Sequence, residues 1–99
     1  MARNRVITKG SAEEFLNHLD YLDNRYSELE ELSRDWNGVA DLDKVEFAEE
    51  WGMVKVTLAR LEQSIRQYGV PEAYRERYAR LQERVARDAP LVAGLWDRP

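Results

Sequence analysis

The sequence predicts an all-α protein: an antiparallel helical hairpin, a third shorter helix that completes a three-helix bundle, and an apolar C-terminal tail. Three observations predict it. Apolar residues recur at spacings of 3 and 4 over two long stretches and one shorter one, which is the period of a helix face. The breaks between those stretches carry Asn37-Gly38 and Gly69-Val70-Pro71, residue types that end and restart helices. No segment alternates in the two-residue rhythm of a half-buried strand. At 99 residues the chain has room for one domain.

Residues 1–10, with Arg3, Arg5 and Lys9 and no period, read as a flexible arm. Ser11 is expected to open the first helix, with Glu14 completing a capping box in which each side chain satisfies a backbone N–H. Phe15, Leu19, Leu22, Tyr26 and Leu29 then line one face, with Trp36 in phase and Asn37-Gly38 as the expected stop. Residues 38–43 form a connector in which Asp41 or Asp43 can cap the second helix. That helix runs to Tyr68 on the seam Phe47, Trp51, Val54, Leu58, Leu61, Ile65 and Tyr68. A second stripe of small apolar residues, Val45, Ala48, Gly52, Val56 and Ala59, lies at least a quarter-turn away. A helix buried on one side needs no second stripe, so this helix is expected to be contacted on two sides. Gly52 costs about 1 kcal/mol relative to Ala in a helix interior, which points to a close approach or a bend there. Gly69 ends the second helix and Pro71 suits the first turn of a third, spanning 71–88 with Tyr74, Tyr78, Leu81 and Val85 inward. Pro90 is expected to break that helix and leave residues 90–99 as a tail carrying Leu91, Val92, Leu95 and Trp96. The domain reading is therefore an arm at 1–10, a bundle at 11–89 and a tail at 90–99.

The formal charge of −4 hides an asymmetry. Residues 11–50 hold thirteen acids and three bases, whereas residues 51–99 hold six acids and nine bases. Arg77, Arg80, Arg84 and Arg87 are spaced 3-4-3 and share one face of the third helix, where guanidinium groups could bind phosphates. The alternative for that stripe is pairing with the acidic face of the first or second helix. The pI of about 5.0 disfavours nucleic acid, whose binding domains often lie above about 9.

Little else carries chemistry. There is no cysteine, which removes disulfides, zinc–thiolate sites and thiol nucleophiles. The single histidine, His18, stands four residues after Glu14 with no second histidine to share a metal, and is expected to be solvated or paired. Glu28 with Glu31 and Glu46 with Glu49 sit at i,i+3, a spacing that can hold Mg²⁺ between helices but that arises by chance in any acidic helix. The five glycines are scattered and form no phosphate loop. No run approaches the roughly 20 apolar residues that span a bilayer. No apolar segment follows the basic start, so no secretory signal is expected. A cytoplasmic protein with no cofactor and no bound metal is expected.

The function expected from these features is a non-enzymatic helical protein–protein interaction module, an adaptor, assembly factor or regulator, that forms homo-oligomers. A chain this short has little surface to bury on its own and gains core from a partner. Trp51, Gly52, Val56 and Ala59 are the expected helix–helix contact, and Leu91, Leu95 and Trp96 the tail contact. The alternative is a nucleic-acid-associated subunit using Arg77, Arg80, Arg84 and Arg87.

Overall fold

The computed structural model describes residues 9–96, with side chains over 12–95. Within them the chain is all-α. Helix α1 spans Lys9–Ser33, α2 Asp41–Tyr68, α3 Arg75–Arg87 and α4 Ala89–Trp96, with 3₁₀ turns at Trp36–Gly38 and Glu72–Tyr74.

α1 starts at Lys9, so Ser11 lies inside its first turn and is not its cap. Of the predicted arm, residues 1–8 and their basic Arg3 and Arg5 lie outside the described residues. α1 also ends early, at Ser33. The N–H groups of Arg34 and Asp35 donate to the carbonyls of Glu31 and Leu32, both at 3.3 Å, which tightens the last turn. Trp36 therefore leaves the helix and sits half-buried in the 3₁₀ turn, with the Lys44 ammonium 5.3 Å from its ring centre. Gly38 is not left-handed; a Cβ there would meet the Asp35 carboxylate, the mobile end of a side chain that can swing aside.

The cap of α2 is the extended Ala40, with no side-chain hydrogen bond, rather than either aspartate. Asp41 and Asp43 instead occupy the first turn, where carboxylates face the positive end of the helix dipole. Gly69 ends α2 as expected, at φ 81°, its N–H donating to Ile65 O at 2.7 Å. Pro71 leads into the 3₁₀ turn, and α3 proper begins only at Arg75.

The expected tail is a helix, which corrects the sequence reading. α3 ends at Arg87, and the Asp88 carbonyl accepts from the N–H groups of Leu91 (2.9 Å) and Val92 (3.1 Å) to start α4. Pro90 breaks nothing, because it falls in the first turn of α4, where no intrahelical N–H is required.

α1 is the hub and contacts each of the other three helices. The Tyr26 ring meets Trp51 edge-on at 5.0 Å while Trp36 meets Lys44, so α2 descends as α1 ascends. Arg77 pairs with Asp20 and Asp23 and Arg87 with Glu30, so α3 runs parallel to α1. One core joins them: Phe15, Leu19, Leu22, Tyr26 and Leu29 of α1, Phe47, Ala48, Trp51, Val54 and Leu61 of α2, Leu81 of α3 and Leu95 of α4. The body is elongated, 56 × 22 × 17 Å. Among the described residues no helix is long and apolar enough to cross a membrane.

Candidate functional site

The arginine face of α3 carries most of the ion pairs between helices among the described residues. It borders an open cleft of about 470 Å³ lined by Asp23, Arg77, Arg80, Glu83, Arg84 and Arg87. Three of its four arginines are held by carboxylates. Arg77 Nη2 lies 2.6 Å from Asp23 and 3.0 Å from Asp20. Arg84 grips Glu30 with both Nε (2.8 Å) and Nη2 (2.9 Å), the bidentate geometry that suits a guanidinium to a carboxylate. Its Nη2 also donates to the Ser27 hydroxyl at 2.8 Å. Arg87 reaches Glu30 at 2.7 Å and Asp88 at 3.2 Å. Arg80 differs: its only ion pair among the described residues is with Glu76 in the preceding turn, at 3.5 Å, and its side chain is 63% exposed.

The electrostatics at the end of this face are set by two carboxyl groups. Glu30, gripped by Arg84 and beside Asp88, is held far below the usual carboxylate range. Asp88 is pushed the other way, by burial and by the neighbouring Glu30. Its Oδ1 accepts from Arg87 Nε, but its Oδ2 is buried without a donor. A protonated Asp88 could donate a hydrogen bond to Glu30, which is what raises its proton affinity beside burial. Tyr26, buried nearby, is raised by burial and by the Asp88 charge. This cluster locks the α3–α4 junction onto α1, and it was not foreseen, because Glu30 and Asp88 are far apart in sequence.

The second surface belongs to α2. Among the described residues the exposed large apolar side chains are Leu42, Val45, Met53, Val56 and Tyr68, all on this helix. The first four lie on the side opposite Trp51 and Val54, together with the exposed Ala59 and the half-buried Gly52. Among the described residues a Cβ placed on Gly52 would meet nothing within 4 Å, so none of the four helices needs the glycine for a close approach.

The residues predicted for partner contact therefore divide. Gly52, Val56 and Ala59 do share an outward face. Trp51 does not join them: it is 2% exposed, packed on Tyr26 and Phe47, and its size places it at the centre of the core. Ala48, counted in the outer stripe, is also buried. Leu95 is 3% exposed and folds back into the core of its own chain, so it offers no surface to a partner. Leu91 is half-buried against that core, and the Trp96 side chain lies outside the described residues. Leu42 and Met53 were missed; Leu42 was readable from the helical series 42, 45, 49, 52, 56, 59, and Met53 from its place beside Gly52 and three residues before Val56.

His18 is half-buried, with Nδ1 buried and no hydrogen-bond partner. Among the described residues no three His, Asp or Glu side chains converge where they could hold a metal ion. Comparison of the chain with protein-family models, with curated proteins and with solved structures finds no match.

Proposed function

We propose that this chain is a non-enzymatic protein–protein interaction module, an adaptor, assembly factor or regulator, that docks through the outer face of α2. In this reading α1, α2 and α3 form a three-helix bundle capped by α4, and the bundle holds α2 rigid with its outer side free. One observation carries the reading: among the described residues, four of the five large apolar side chains left in solvent share one side of one helix instead of being scattered. Aligned apolar surface costs solubility and marks contact sites, whereas single exposed apolar residues are ordinary.

A photo-cross-linking amino acid at Leu42 or Met53, introduced in the native host, tests it. Protein adducts are expected at both positions and not at Gln82, an exposed control on α3. Adducts no more abundant than at Gln82 would overturn the reading. The nucleic-acid alternative draws less support, because Arg77, Arg84 and Arg87 are already occupied by carboxylates of α1 and by Asp88. It predicts binding of DNA or RNA at low salt that is lost when Arg80 and Arg84 become Glu.

A further inference from the structure

We infer that the occupant of the outer α2 face is a second copy of this chain, with the two α2 helices crossing antiparallel at Gly52. The inference rests on the reading of that face as a docking surface and names what covers it. Three observations converge. Leu42, Val45, Glu49, Gly52, Val56 and Ala59 follow a 3-4-3-4-3 spacing, so they form a straight seam of the kind that joins two helices. Gly52 stands mid-helix at that seam, with nothing among the described residues near the position of a Cβ. Glycine is unfavourable in a helix interior, and its physical use on an outer face is to let another backbone come close.

Charge then selects both the partner and the direction. The exposed acids Asp41, Glu46 and Glu49 lie N-terminal to Gly52 on this side of α2, and the exposed bases Arg60 and Arg66 lie C-terminal to it. Among the described residues none of these five is in an ion pair. A face that is acidic on one side of its centre and basic on the other is complementary to itself after a two-fold rotation, the symmetry of an isologous dimer. An antiparallel crossing at Gly52 sets Glu46 of each copy opposite Leu58 of the other, two residues and about 3 Å of rise from Arg60. A parallel pairing would set acid on acid and base on base. Glu49, the one charged residue in the seam, is in no ion pair among the described residues, and the antiparallel crossing turns it toward the half of the partner helix that carries the bases.

Sedimentation equilibrium of the full chain tests the pairing, since the 11.6 kDa protomer and its dimer are well separated in mass. A dimer that dissociates on dilution is expected, because a single helix crossing buries less than a standard interface. Val56→Glu should shift it to monomer with unchanged helical circular dichroism. The chain has no cysteine of its own, so single introduced cysteines report the geometry. Met53→Cys should form an interchain disulfide on oxidation. Leu42→Cys should not, because in the antiparallel pair the two copies of that position lie about 30 Å apart at 1.5 Å per residue. A monomer at concentrations up to about 1 mM, the weak end of the affinity scale, would overturn the second copy as occupant. A dimer that survives Val56→Glu would overturn the face. Disulfides forming equally well at both cysteines would overturn the antiparallel direction. Cross-links from Leu42 or Met53 to a different protein, in a chain that stays monomeric, would refute the dimer and leave the docking reading intact.

Discussion

Asp88 is an acid in a place that favours a neutral group. It is 4% exposed, faces the ionised Glu30, and is only partly compensated by Arg87, while Arg84 is directed at Glu30 and Tyr26 adds no charge. Its proton affinity is raised in the folded chain, so the folded state holds that proton more tightly than the unfolded one. The cost of ionising it is absent below the ordinary aspartate range and grows as pH rises through the folded value. Glu30 has the opposite sign: it stabilises above the ordinary glutamate range and is lost as pH falls. Asp88→Asn separates the two effects, because its amide can donate to Glu30 as the protonated acid would and its carbonyl can still accept from Arg87. The melting temperature should rise at pH 7, and the difference from wild type should shrink as pH falls through the raised value of Asp88 and its carboxyl takes up a proton. A variant less stable than wild type at pH 7 would show that the Asp88 negative charge is itself stabilising.

At the scale of the element, α2 and α4 make opposite points. Gly52 weakens α2, and the space beside it is open, so Gly52→Ala should stabilise the isolated chain by up to about 1 kcal/mol in urea unfolding at high dilution. The same methyl group would stand in the proposed crossing and weaken self-association, so folding stability and dimer affinity should move in opposite directions. α4 is a short helix of 8 residues, below the length at which a helix is stable alone in water, and it is held by packing. Leu95 is its buried anchor, so Leu95→Ala should cost about 2–3 kcal/mol, the lower part of the range for core leucines, and should raise hydrogen exchange across α4 before α2. Equal loosening of both helices would mean that α4 is an inseparable part of the core.

At the scale of the whole molecule, part of the charge asymmetry is resolved within the chain. The acidic side of α1 and the arginines of α3 run parallel and meet as Asp20 and Asp23 with Arg77 and as Glu30 with Arg84 and Arg87. Most such pairs at a surface contribute little, but Arg84 and Glu30 are each only about a quarter exposed and their contact is bidentate. Arg84→Ala should therefore lower unfolding stability by about 1–2 kcal/mol, within the range for hydrogen bonds to charged groups and reduced by the Arg87 contact that remains. Arg80→Ala, removing an exposed side chain paired only within its own helix, should change stability by less than about 0.5 kcal/mol. If the two variants behaved alike, the ion pairs would not be what joins α3 to α1.

The sequence by itself determined the class of the fold, the inward faces and the stop at Gly69, because helical period and a left-handed glycine are local physics. It also carried the outer stripe of α2 and both possible fates of the arginine stripe. Tertiary structure alone decided which acids lie beside Arg77, Arg84 and Arg87, since that depends on how α3 docks on α1. It likewise placed Trp51 and Leu95 in the core, turned the segment after Arg87 into a helix, and set Asp88 against Glu30. Each of these outcomes depends on contacts between residues distant in the chain, which spacing along the sequence does not encode.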